Sequence, residues 1–136
     1  QKVKMRQVNK SMKGIKKGKN GVITLTHMNL TGIPDMVLDY LDREEARRRV
    51  SGICLDCNRL SALPDDRLQR WVYIKHLSLR YNNLRSLSPA ISTLVALQHL
   101  DVSHNQINNL PHIGTLKNLE TLQMDWNKVT SIPESH

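Results

Sequence analysis

The sequence predicts an α/β solenoid: a short, curved parallel β-sheet on the concave side, with helices and tight 3-10 turns on the convex side. Three observations predict it. One apolar pattern returns along the chain at nearly constant intervals. The centre of each copy alternates apolar and polar residues with a period of two, as a short strand does. The segments between copies carry apolar residues at every third position, the spacing of a tight helical turn.

The pattern is clearest in Val50, Ile53, Leu55, Asn58 and Leu60. It returns at Ile74, Leu77, Leu79, Asn82 and Leu84, at Leu97, Leu100, Val102, Asn105 and Ile107, and at Leu119, Leu122, Met124, Asn127 and Val129. The asparagines are 24, 23 and 22 residues apart. A Leu-Pro or Ile-Pro step follows at Leu63-Pro64, Leu110-Pro111 and Ile132-Pro133, and is shifted by one in Leu87-Ser88-Pro89. No single copy can bury its apolar face, so the copies must stack into one continuous core. An Asn amide has donors and acceptors for backbone groups that the bend would otherwise leave unpaired. The spacing L-x-x-L-x-L-x-x-N-x-L resembles the leucine-rich repeat, over roughly residues 20–133. The short repeats with their Leu-Pro step resemble those of intracellular signalling scaffolds. The resemblance implies a leucine-rich-repeat solenoid of about five repeats that binds another protein.

The return segments place Leu68, Trp71 and Ile74, then Ile91, Leu94 and Leu97, then Ile113, Leu116 and Leu119 at steps of three. Trp71 is therefore read as core. The first repeat is irregular: Ile23, Leu25, Leu30 and Ile33-Pro34 fit, but Met28 holds the Asn position. The insert that follows, residues 35–49, predicts one α-helix on the convex side, capped by Asp35, with early acids and late arginines that suit the helix dipole. Upstream, Met5, Val8, Met12 and Ile15 form one helical stripe, expected to seal the open edge of the first repeat. The chain therefore divides into a basic capping helix in residues 1–20 and a repeat domain in 21–136. Because nothing remains after the last repeat to supply the polar end cap a solenoid needs, either the protein is expected to continue beyond His136 or a partner covers that edge. It opens on Gln1 rather than Met, so its start is expected to lie upstream or to have been processed away.

Charge is unevenly placed. Of 20 basic residues, eight lie in residues 1–20, namely Lys2, Lys4, Arg6, Lys10, Lys13, Lys16, Lys17 and Lys19, with no acid among them. The other 12 balance the chain's 12 acidic residues, so the net charge of +8 belongs to this one segment. No run approaches the ~18 apolar residues of a membrane span. The two cysteines, Cys54 and Cys57, are too close to build a disulfide framework. They point to a reducing intracellular compartment, the cytoplasm first and the nucleus as an alternative.

Residues between the leucines are expected on the concave face. The position before each Asn forms a lateral column of His27, Cys57, Tyr81, His104 and Trp126. Beside it stand Asp56, Arg80, Asp101 and Asp125, and further in lies His99. Aromatic residues are enriched in binding hot spots, and flanking charges set polarity for a partner. These ten residues are the expected partner-binding surface.

Other signals are weaker. Cys54-Leu55-Asp56-Cys57 is formally C-x-x-C, but it spans a repeat strand and lacks both the helix N-terminus of a redox motif and the four ligands of a zinc site. His27 and His76 on flanking strands do not complete such a set. Ser78, Ser103, His76, His99, Asp101 and His104 share a face, yet an open sheet offers no oxyanion site. No catalytic residue, metal or cofactor is expected. The eight basic N-terminal residues are read as the solvated face of the cap. The alternative reading makes them an anion site, with the protein a structural component of a ribonucleoprotein or ribosomal particle that docks on nucleic acid or an anionic surface through residues 1–20.

Overall fold

The computed structural model describes residues 2–16, 21–111 and 113–129. Five three-residue strands form one parallel sheet in chain order: β1 (Val22–Thr24), β2 (Gly52–Cys54), β3 (His76–Ser78), β4 (His99–Asp101) and β5 (Thr121–Gln123). The register aligns equivalent repeat positions. Ile23, Ile53, Leu77, Leu100 and Leu122 are successive partners, with Val22, Gly52, His76, His99 and Thr121 on one side of them and Thr24, Cys54, Ser78, Asp101 and Gln123 on the other. The central column points inward and the outer two outward, as pleating requires. One continuous core results, running from Val8 to Leu116 and including Leu55, Leu79, Val102 and Trp71.

Asparagine binds the stack together. Asn82 Nδ2 donates to the carbonyl of Leu79 in its own turn (3.1 Å) and to that of Leu55 in the preceding turn (3.0 Å), while its Oδ1 accepts from the backbone N–H of Leu60 (3.0 Å). Asn58, Asn105 and Asn127 repeat the arrangement. Met28 is tolerated because no turn precedes the first for its amide to serve. Its own turn is closed from the next repeat, where Asn58 Oδ1 accepts from the N–H groups of Met28 and Leu30.

The return segments tighten into 3-10 helices at Leu68–Arg70 and Pro89–Thr93. The second has Pro89 at its start and is capped by Ser88, whose hydroxyl accepts from the Ala90 N–H at 3.0 Å. Trp71 is buried as expected.

Helix α1 (Lys2–Lys16) lies against β1, burying Val8 and Met12, and Ser11 Oγ accepts from the Thr24 N–H at 3.2 Å. Of the expected stripe, Val8 and Met12 are thus buried against the edge strand, while Met5, a turn earlier, is 43% exposed. Arg6, Lys10 and Lys13 face solvent, and Lys2, Lys4 and Lys16 lie on the same helix. Lys17 and Lys19, and the Ile132-Pro133 step, fall outside the described residues.

The insert differs from expectation. It forms two helices, α2 (Asp35–Asp42) and α3 (Glu44–Arg47), divided where Arg43 adopts an extended conformation (φ −87°, ψ 129°). Its N–H bonds to the Tyr40 carbonyl and its guanidinium lies 5.2 Å from the Tyr40 ring, which turns the chain back toward β2. Asp35 is not the cap either. Pro34 holds that position, and Asp35 sits inside the first turn, where its charge still complements the dipole.

Candidate partner-binding surface

The lateral column begins one turn beyond the strands. His27, Cys57, Tyr81, His104 and Trp126, expected as a lateral column on the concave face, are all left-handed, with φ between 55° and 62°. The geometry has a cause. The N–H groups of His27, Cys57, Tyr81 and His104 still donate to the next turn's ladder, as from Cys57 to the Arg80 carbonyl (2.8 Å) and from His104 to the Asp125 carbonyl (2.9 Å). The left-handed step then swings the following Asn into the core. A non-glycine residue in this region costs roughly 1 kcal/mol. No glycine stands at any of the five positions.

The aromatic members of the column touch. The Tyr81 and His104 rings stack at 4.1 Å with planes 10° apart, and His104 and Trp126 follow at 5.7 Å and 16°. Tyr81 is 50% and Trp126 is 76% exposed, so the ladder presents a continuous aromatic edge to solvent. His27 is exposed and Cys57 half-buried, and no ring contact links either to the ladder among the described residues.

The flanking charges are partly spent within the molecule. Asp56 Oδ1 accepts from Ser78 Oγ (2.6 Å) and from the Arg80 N–H (2.9 Å). Asp101 Oδ1 accepts from Ser103 Oγ (2.6 Å), and its Oδ2 lies 3.4 Å from Arg80 Nε. Arg80 also rests 5.8 Å from the Tyr81 ring, so it stiffens the ladder rather than reaching away from it. Asp125 stands exposed beside Trp126.

Further in, His99 stacks on His76 at 4.7 Å and 5°, and its Nδ1 lies 2.7 Å from Thr121 Oγ1. His76 was left out of the expected contact set. Its place in the same register column as His99 was the available signal. Gly52 allows this row to close up, since a Cβ there would lie 3.3 Å from both Val22 Cγ2 and His76 Cβ. A shallow hollow of about 190 Å³ opens here, lined by His76, Ser78, His99, Asp101, Thr121 and Gln123 among others.

The serine hydroxyls donate directly to aspartates, with no histidine between them, so no Ser-His-Asp relay is assembled. Burial, the leading cause, pushes the Cys54 thiol above its ordinary range, the reverse of an activated thiolate. Among the described residues, no group of three His, Cys, Asp or Glu could hold a metal. No helix there is long and apolar enough to cross a membrane.

A parallel sheet wound turn by turn, closed inside by leucine and asparagine and open on its outer side, defines a solenoid repeat protein. The chain belongs to the leucine-rich-repeat family. A family model described as leucine rich repeat matches residues 48–107, and one described as leucine rich repeats in two copies matches residues 95–135. The chain is 29% identical over 112 residues to fibromodulin of Sus scrofa, covering 82% of this chain and 69% of that protein. It is 41% identical over 61 residues to adenylate cyclase of Schizosaccharomyces pombe; that match covers 43% of this chain and 4% of the cyclase, a stretch of repeats only. A solved leucine-rich-repeat protein of Leptospira interrogans shares the fold, with a TM-score of 0.69 and 24% identity over 88% of this chain and 34% of its own. Domains of this family generally bind other proteins and are typically non-catalytic.

Proposed function

We propose that this chain is a non-catalytic interaction module, part of a scaffold or larger assembly, that binds a partner protein along its concave face. The observation that carries the reading is the Tyr81–His104–Trp126 stack, an exposed aromatic edge built at left-handed positions. Non-glycine side chains at five backbone positions that favour glycine are a repeated cost, and strain of this kind concentrates at functional sites. Tyr and Trp bury much area with few rotors to freeze, which suits them to anchor a partner. Exposed Asp125 in the β5 turn and Asp56 and Asp101 along the face give the surface a polarity that a partner must match. The two free thiols, Cys54 and Cys57, support an intracellular setting.

Affinity capture from cells tests the reading. A protein retained by the wild-type chain should be lost with Tyr81→Ala and with Trp126→Ala, and kept when residues 1–16 are deleted. Retention by both ring variants would reject the concave anchor.

A further inference from the structure

On the convex side, α3 and the segment after the Leu68–Arg70 turn border an open cleft of about 470 Å³, lined by Glu44, Arg47, Gln69, Arg70, Val72 and Tyr73. Its charges are unbalanced. Glu44 is the one carboxylate in the lining, and Arg48 holds it: Nη2 lies 3.0 Å from Oε1, while the same guanidinium sits 5.1 Å from the Tyr73 ring. The neighbouring Arg67 is occupied too, by Asp42 at 3.1 Å and Asp39 at 3.5 Å. Arg47 and Arg70 differ. Neither side chain has an ion pair or hydrogen bond among the described residues, and both line the cleft. Two arginines without an ion partner among the described residues therefore line one space whose only carboxylate is already paired with Arg48.

A guanidinium matches oxyanions with paired N–H donors, and phosphate oxygens best of all. Val72 and Tyr73 supply an apolar wall beside the forks, and the volume lies in the range of small-ligand sites. We propose that this cleft binds a phosphate monoester carrying a flat apolar group, with Arg47 and Arg70 gripping the phosphate and Tyr73 and Val72 touching the apolar part. Nothing in this site overlaps the concave face, so it stands or falls apart from the partner surface.

The test is calorimetric titration of the full chain with phenyl phosphate, inorganic phosphate and phenol. Phenyl phosphate should bind saturably and more tightly than either fragment. Arg47→Gln and Arg70→Gln should each weaken it about tenfold, the loss expected for a charge-assisted hydrogen-bonded contact. Glu44→Gln should tighten it, because Arg48 is then released. A Lys10→Gln, Lys13→Gln variant, which neutralises charge on α1 instead, should bind as the wild type does. All these side chains are exposed or half-exposed, and unchanged melting temperatures would confirm that each variant folds. A phosphotyrosine peptide in a glycine context separates the two sources: tighter binding than phenyl phosphate assigns the site to a phosphorylated partner chain, and equal binding to a small molecule. The proposal is overturned if phenyl phosphate binds no better than inorganic phosphate, if both arginine variants keep wild-type affinity, or if the α1 variant loses as much as they do.

Discussion

Tyr81 and His104 stack face to face across adjacent turns of the solenoid, 4.1 Å apart, on a backbone held left-handed at both residues. The ladder they begin is exposed, so it should add little to folding, and the proposed partner surface assigns it to contact. Tyr81→Ala should cost at most about 1 kcal/mol of stability, the value of one aromatic pair. It should weaken the captured partner by about 2 kcal/mol or more, as anchor residues do. Chemical denaturation and a binding isotherm on the same variant check both halves.

Asparagine should behave in the opposite way. Asn82→Ala withdraws the acceptor from the Leu60 N–H and the donor from the Leu55 and Leu79 carbonyls, all in the interior. Each buried group left unsatisfied costs ~1–3 kcal/mol, so a loss of about 3 kcal/mol is expected. Asn127→Ala, at a half-buried turn, should lose less. Urea titration gives the order, and equal losses at the two sites would contradict it.

The left-handed column is open to a backbone test. Cys57 has φ 62° and is half-buried, so Cys57→Gly should hold stability or raise it by up to about 1 kcal/mol. Cys57→Val should lose ~1–2 kcal/mol, because a β-branched side chain fits this region worst. A thermal melt of the pair decides the matter; a more stable valine variant would refute the assignment.

Cys54 should react late. Burial in the first place, and the neighbouring Asp56 charge, hold its thiol above the ordinary range. A raised pKa keeps the neutral thiol to higher pH, and only the thiolate is alkylated. The rate of iodoacetamide modification at Cys54, followed by peptide mass spectrometry, should therefore rise at a higher pH than for an unhindered cysteine. Rapid labelling near neutral pH would be inconsistent with that environment.

Much of the architecture was legible because its signals are periodic. Leu77 and Leu100 pair across strands because both hold one place in a repeated pattern, and Asn58, Asn82, Asn105 and Asn127 take one role for the same reason. The columns flanking the leucines follow from that register. Features set by conformation rather than spacing were not legible. No residue type at His27, Cys57, Tyr81, His104 and Trp126 announces a positive φ, and no glycine or proline marks the break at Arg43. The pairing of Arg80 with Asp101 depends on rotamers. The joining of Arg47 and Arg70 depends on how an insert folds against the next turn, which no local pattern encodes.

The asparagine ladder also has a direction. Asn58 reaches back to the Leu25 carbonyl, Asn105 to that of Leu79, and Asn127 to that of Val102. A turn is thus completed by its successor. Detaching the N-terminal turn would free the Asn58 amide and the Ser51, Gly52 and Arg59 N–H groups that donate into it, and detaching the β5 turn would orphan the Ile107 N–H within the turn that remains. A chain leaving the ribosome N-terminus first would hold each coil unfinished until the next one emerges, so it gains order vectorially.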